Sequence, residues 1–428
     1  MNIYKEVIKN EVFPALGCTE PISVALAASI AAEGVNEDPE NLIFIVNQGT
    51  YKNGLAVNIP NTNGEKGNLI AGVLGALIAK PEAKMEILKY VTPEILAKAK
   101  KLIKENDFQI QVLPDCASFY VEVQLKTANH HNVSIISGGH TNLVYLERDG
   151  KIVLDKRDEI QAKKEAGYKE VLKKLKIDDL ITLAENIDEE DIAHLKKGIE
   201  MNLAISREGA KMHKVGCALM DLEDKKLLLD DIFSSTKIMV ACAVDARMDG
   251  MPMPVMSSGG SGNHGVVAFL VPYNVGKHFK ISEDIILKSI AFSHLLDAYV
   301  KTFTGELSPI CGCAIAAGVG ATAAIVYQQK GRDITGITFA VNNLISDIGG
   351  MICDGAKSGC AFKVVSSTDA AIRAAYLGIL HKGITQAEGF VGATAEETIQ
   401  NLNRLTEIGM AKMDATIVDI MLQKSRRK

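Results

Sequence analysis

Along the first third of the chain, apolar residues recur at every second position in short runs. The clearest is SFYVEVQLK, where Phe119, Val121, Val123 and Leu125 alternate with polar residues at the period of a half-buried strand. Runs of the same kind occupy 41–47 (NLIFIVN), 55–59 (LAVNI), 108–113 (FQIQVL), 132–137 (NVSIIS), 142–147 (NLVYLE) and 151–155 (KIVLD). Helical segments fall between them, one beginning near Pro21 and one spanning about 67–79. Residues 1–155 are therefore expected to form an α+β domain with a mostly antiparallel sheet.

Past residue 155 the period lengthens to that of helices. Ser282 is placed to N-cap a helix running to about Phe303, and Ser367 one that ends before Gly383. Thr394 with Glu397 makes a capping box for a helix ending at Gly409. Segments 157–175, 189–213, 312–329, 334–349 and 411–424 complete an all-helical domain over 156–428, with 176–190 as its charge-rich connection. The small-residue segment CAIAAGVGATAAIVYQQ reads as the central helix, because it lets neighbouring backbones approach closely.

Composition narrows the class. Two stretches lack Asp, Glu, Lys and Arg, one between Asp249 and Lys277 and one between Glu306 and Lys330. Prolines, glycines and glutamines interrupt them, so they read as segments buried inside protein and not as lipid-facing spans. MNIYKEVIKNEVFP has no continuous apolar region of the kind a signal peptide needs, and a cytoplasmic location is expected. The 428 residues suffice for two or three domains with a large core. A balance of 47 Lys plus Arg against 52 Asp plus Glu, with no long basic run, argues against a nucleic-acid partner.

Eight cysteines are too sparse for a disulfide scaffold, so each must be explained by its place. Cys116, Cys217 and Cys242 read as packing residues. The other five are placed differently. Cys311-Gly-Cys313 follows Pro309 at the start of the central helix, and Cys353 and Cys360 flank a glycine-containing turn. Helix starts and glycine turns aim N–H groups at anions and lower thiol pKa values, which suits thiolates that bind a soft metal. Cys18 stands before Thr19, Glu20 and Pro21 at another helix start, where a thiol serves as base, ligand or nucleophile. The loop SSGGSGNHG, with Ser257, Ser258, Gly259, Gly260, Ser261, Asn263 and His264, has the small residues needed to wrap a carboxylate in N–H groups and hydroxyls. SGGHTN offers His140, Thr141 and Asn142 between two strands.

Together GCTEP, GGHTN, DARMDG, SSGGSGNHG, CGCAIAAG and GMICDGAKSGCA resemble the archaeal and bacterial L-cysteine desulfidases over nearly the whole chain. The stretch from CAIAAG to GC is similar to the alpha domain of the iron-sulfur L-serine dehydratases. The resemblance implies an oxygen-sensitive, pyridoxal-phosphate-independent homodimer. Such an enzyme uses a 4Fe-4S cluster to convert L-cysteine and water into sulfide, ammonia and pyruvate. It also implies Cys313, Cys353 and Cys360 as cluster ligands, with Cys311 as the alternative first one.

Three thiolates leave one iron of such a cluster open, a Lewis acid suited to a substrate thiolate. For the base that takes the α-proton, a low-pKa Cys18 is favoured, with Lys357 or His140 as alternatives. Thr19, Glu20 and the two polar loops are the candidate partners of the substrate's carboxylate and amine, joined by Arg247 if it is buried. Two other readings stay open. The same scaffold could dehydrate L-serine or another β-substituted amino acid, or the thiols could form an oxygen or redox sensor, which would need them exposed and mobile rather than in a cleft.

Overall fold

The computed structural model describes residues 2–114, 116, 119–157, 167–305 and 307–425. The first part holds α1 (Ile3–Glu11), β1 (Pro14–Ala15), α2 (Thr19–Ala32), β2 (Asn41–Asn47), α3 (Gln48–Gly54), α4 (Asn68–Ile78), a 3-10 segment (Pro81–Tyr90), α5 (Pro93–Glu105) and β3 (Gln109–Leu113). It continues through β4 (Tyr120–Lys126), β5 (His131–Ser137), β6 (Leu143–Arg148) and β7 (Lys151–Asp155). Helices α6 (Tyr168–Leu172), α7 (Ile177–Glu185), α8 (Glu189–Gly209), α9 (Val215–Asp224) and α10 (Ile232–Met248) follow, then β8 (Val255–Met256). The chain closes with α11 (Gly262–His278), α12 (Glu283–Thr304), α13 (Gly312–Lys330), α14 (Ile334–Ile348), α15 (Cys360–Ile379), α16 (Ala395–Arg404) and α17 (Met413–Ser425).

An α+β region thus precedes a helical one, as the periodicities predict. The six-stranded sheet runs β3-β2-β4-β5-β6-β7 and is antiparallel except for the parallel pair β2 and β3. Leu42, Phe44 and Val46 of β2 and Val121, Val123 and Leu125 of β4 turn one face into a core with α2. Every residue of α2 is buried, because the helix lies between that sheet face and α4. A Cβ on Gly75 of α4 would fall 2.0 Å from the Ala25 carbonyl oxygen, so this approach requires glycine.

In the helical region α13 packs against α11, α12, α14 and α15, which makes it the central helix. A Cβ on its Gly320 would lie 2.4 Å from the Ser293 carbonyl oxygen of α12. The two ends of the chain cross between the cores. Ile3, Tyr4, Val7 and Ile8 of α1 join the helical core, and Val418 of α17 joins the core under the sheet. Among the described residues no helix is long and apolar enough to cross a membrane.

Several local expectations fail for identifiable reasons. Residues 55–59 are not a strand; only Asn58 bridges to Lys66. Val57 and Ile59 alternate because they enter different cores. Ser367 caps nothing: α15 begins at Cys360, and the Ser367 hydroxyl donates to the Ala314 carbonyl at 2.5 Å, tying α15 to α13. Thr394 does cap α16 by accepting from Glu397 N, but the Glu397 carboxylate accepts from Ala393 N, and a π turn at Leu405–Gly409 follows the helix. The charge-rich connection 176–190 contains α7, whose Leu180 and Ile181 are buried. Helix α6 occupies part of the expected 157–175 helix, and residues 158–166 lie outside the described residues.

Candidate active site

The charge-free segments meet α2 and α3 at one recessed cavity of about 90 Å³. Its sheet-side wall is formed by Cys18, Thr19 and Glu20 at the start of α2, Lys52 and Asn53 of α3, and His140 from the β5–β6 turn. Its helical wall carries Arg247, Ser261, Asn263, His264, Lys301, Cys311, Cys313, Cys353, Cys360 and Lys363. Helices α2, α11, α13 and α15 all begin here, so four N-terminal dipoles add to the cations of the lining.

Pairing of β1 with β8 holds the two walls together: Ser257 N donates to the Phe13 carbonyl and Gly260 N to the Glu11 carbonyl, both at 2.9 Å. Across the cavity floor, Arg247 donates from Nη2 to the Gly17 carbonyl and from Nη1 to Asn263 Oδ1. Arg247 is only 3% exposed, and its Nε has no partner.

The thiols converge through two devices. An antiparallel bridge between Ile310 and Ile352, with Cys311 N donating to the Met351 carbonyl and Cys353 N to the Pro309 carbonyl, lays Cys353 beside the start of α13. Close packing of α15 on α13 adds Cys360. Cys311 and Cys313 touch at 3.3 Å. A hydrogen bond between the two thiols pulls Cys311 down and pushes Cys313 up. For the others the expected lowering at helix starts does not occur, because burial outweighs it. Burial pushes Cys360 up to about 11 and also raises Cys353, against the opposing charge of Lys52.

Cys18 differs most from expectation. Burial and the adjacent Glu20 carboxylate both push its thiol up, and Sγ donates to Glu20 Oε2 at 3.0 Å, so it is a neutral thiol and not a low-pKa thiolate. Glu20 also accepts from Thr19 Oγ1 and from Asn53 Nδ2. Burial works against the Glu20 charge, but His140, Cys18 and Asn53 more than offset it and hold the carboxyl below its usual range.

Other expected residues stand elsewhere. Lys357 is ion-paired with Asp354 and does not line the cavity. Thr141 and Asn142 are exposed, with Asn142 Nδ2 closing the turn onto the Ser137 carbonyl. The serine loop is not a free N–H cradle either. Ser257 Oγ donates to the Glu11 carbonyl, Ser258 N and Ser261 N bond across the turn, and Gly259 and Gly260 take positive φ values to make that turn. Ser261, Asn263 and His264 do reach the cavity.

Lys52, Asn53, Lys301, Lys363 and, behind them, Asp297 are part of the site and were not anticipated. His294, Asp297 and Lys301 follow one another at helical spacing on the buried middle of α12, between Leu295, Leu296, Ala298 and Val300, a polar stripe that was the available signal. Lys52, 1% exposed, pairs with Asp414 of α17 at 2.6 Å, so the last helix reaches the cavity wall. Among the described residues no group of three or more His, Cys, Asp or Glu side chains is close enough to hold a single metal ion.

A family model described as serine dehydratase alpha chain matches residues 82–419. A UPF0597 protein of Elusimicrobium minutum is 56% identical over 424 residues, covering 99% of this chain and 100% of that protein. A UPF0597 protein of Geobacter sulfurreducens is 53% identical with 99% of each chain covered, and one of Clostridium tetani is 38% identical with 98% of each covered. No solved structure matches.

Proposed function

Because the chain belongs to the serine dehydratase alpha chain family, we propose that it is an L-cysteine desulfidase, a carbon-sulfur lyase that works without pyridoxal phosphate. The observation that carries this reading is the donor set: five thiols line one cavity that also holds a buried guanidinium with a free Nε and no carboxylate partner among the described residues. Thiolates are the ligands of iron-sulfur clusters, and cations around them compensate the negative charge of such a group. A cluster takes its thiolates on different irons, so its ligands stand further apart than those of a single ion. Cys313, Cys353 and Cys360 are assigned as the ligands of a 4Fe-4S cluster, and Cys311 as the neighbour in contact with Cys313. Bound there, the cluster supplies a Lewis acid for the substrate sulfur.

The chain's own groups account for the rest. Arg247 binds the substrate carboxylate, since its buried charge lacks an anionic partner among the described residues. Thr19, His140 and Asn263 face the ammonium from both walls. Cys18 takes the α-proton as its own proton passes to Glu20 along the 3.0 Å contact, which is how a neutral thiol acts as a base. The Cα–H electron pair forms the Cα=Cβ bond, and the Cβ–S pair leaves with sulfur. The released aminoacrylate hydrolyses to pyruvate and ammonia. Lys357, Thr141 and Asn142 take no part, and Ser257, Ser258, Gly259 and Gly260 shape the wall.

Dehydration of L-serine on the same scaffold is the second reading, favoured by the description of the family model. The sensor reading loses support from the burial of Cys18, Cys311 and Cys360. The enzyme is further proposed to act as a cytoplasmic homodimer that is inactivated by oxygen. Anaerobic purification with iron and acid-labile sulfide analysis, followed by assays on both amino acids, tests the proposal. Iron and faster pyruvate formation from cysteine are expected. Absence of iron after reconstitution would remove the cluster, and faster turnover of serine would favour dehydration.

A further inference from the structure

Behind the helical wall lies a buried polar network that the chemistry above does not use. His264, in the first turn of α11, has Nδ1 at 2.9 Å and 3.2 Å from the two carboxylate oxygens of Asp297, which is fully buried on α12. Ser258 Oγ donates to Asp297 Oδ2 at 2.7 Å, and His294 Nδ1 lies 2.8 Å from that same hydroxyl. With its hydrogen committed to Asp297, the Ser258 hydroxyl accepts from His294, so the donors run in one direction and end on the carboxylate. In the neutral ring, Asp297 as acceptor puts the proton of His264 on Nδ1 and leaves Nε2 as a lone-pair nitrogen. Nε2 faces the cavity against the first residue of α13: a Cβ on Gly312 would stand 2.6 Å from it, and glycine there keeps the nitrogen open.

A difficulty in the elimination gives this nitrogen a task. A cysteine substrate is captured best as its thiolate, yet a thiolate that loses its Cβ–S bond leaves as a sulfide dianion, a very poor leaving group. Its thiol proton must be taken when the substrate is seated and given back when sulfur departs. Resting on the cysteine reading above, we propose that His264 is the acid-base partner of the substrate sulfur and that Asp297 is its positioning residue. On seating, the S–H bond breaks, its electron pair stays on sulfur and the proton goes to His264 Nε2. As the Cβ–S bond breaks, its pair leaves with sulfur, which takes the proton back from Nε2 and departs as hydrosulfide, returning His264 to its starting form.

The test compares leaving groups. β-Chloro-L-alanine expels chloride, which needs no proton. In Asp297→Asn and His264→Gln, turnover of L-cysteine should fall by about 10²–10⁴-fold, as expected for losing general acid-base catalysis. Release of pyruvate from β-chloro-L-alanine and iron content should stay within about threefold of the parent. The gentler Ser258→Ala, which removes one donor to Asp297, should show the same selectivity with a smaller loss. Imidazole ¹⁵N spectra of the iron-free protein supply a readout independent of turnover: Nδ1–H in the parent, shifted toward Nε2–H in Asp297→Asn. Equal losses on both substrates, or an Nε2–H tautomer in the parent, would overturn the proposal. A parent that releases no sulfide from cysteine would sink the desulfidase reading, while the tautomer would still decide the placement of Asp297.

Discussion

The sheet-side wall of the cavity offers a thiol, a carboxylate and an imidazole, Cys18, Glu20 and His140, with Lys52 behind them. The helical wall offers four thiols, Cys311, Cys313, Cys353 and Cys360, beside Arg247, Lys301 and Lys363. Burial acts on both walls alike, raising Cys18, Cys353 and Cys360. What differs is the company each thiol keeps. Cys18 donates to a carboxylate, the acceptor its proton passes to on the proposed reading, whereas the helical-wall thiols face cations and one another, so a soft cation would draw their protons off. On the proposed reading one wall binds the cofactor and the other handles the α-proton, and substitutions should separate the two.

The largest separation is expected at the ligands. Cys353→Ala or Cys360→Ala should abolish both bound iron and sulfide release, measured by iron analysis and a sulfide assay on anaerobically reconstituted protein. Iron retained at the parental level in either variant would break the division. On the opposite wall, Cys18→Ala should keep its iron and lose turnover below detection; loss of iron there would make Cys18 a ligand. Arg247→Lys comes next: the planar fork that suits a carboxylate is replaced by a point charge, so kcat/KM for L-cysteine should fall about 100-fold with iron unchanged.

Much of this contrast was legible in the chain. The crowding of Cys311, Cys313, Cys353 and Cys360 marked the helical wall, and the alternation of Val121, Val123 and Leu125 marked the strand that supports α2. What could not be read is whatever depends on partners remote in sequence. A helix start at Cys18 suggests a lowered thiol, and only the fold reveals that Glu20 turns back onto it. The serine loop carries hydroxyls, but Glu11 and Asp297 use those of Ser257 and Ser258. Residues 55–59 alternate like a strand because they lie between two cores, a distinction that local period does not carry.

A smaller effect probes the shared interior. Burial pulls His294 down from 6.5 to about 3, against the opposing charge of Asp297. Since its folded value is depressed, its contribution to stability is complete above about pH 6.5 and is lost progressively as the pH falls toward 3. His294→Asn keeps a donor for Ser258 and removes that titration, so unfolding followed by circular dichroism should shift to lower pH. An unchanged acid midpoint would mean that the ring is not held neutral. The smallest effect is expected away from the cavity: Cys217→Ala, at a half-buried position, should change stability by about 0.5 kcal/mol or less and leave iron and activity intact.

The central claim is that this cavity breaks the carbon-sulfur bond of L-cysteine. Product stoichiometry under anaerobic conditions tests it directly, with the reconstituted protein free of pyridoxal phosphate and sulfide, ammonia and pyruvate quantified from one reaction. The three should appear in equal amounts and faster than pyruvate appears from L-serine. Protein that carries its full complement of iron yet releases no sulfide from L-cysteine would contradict the account.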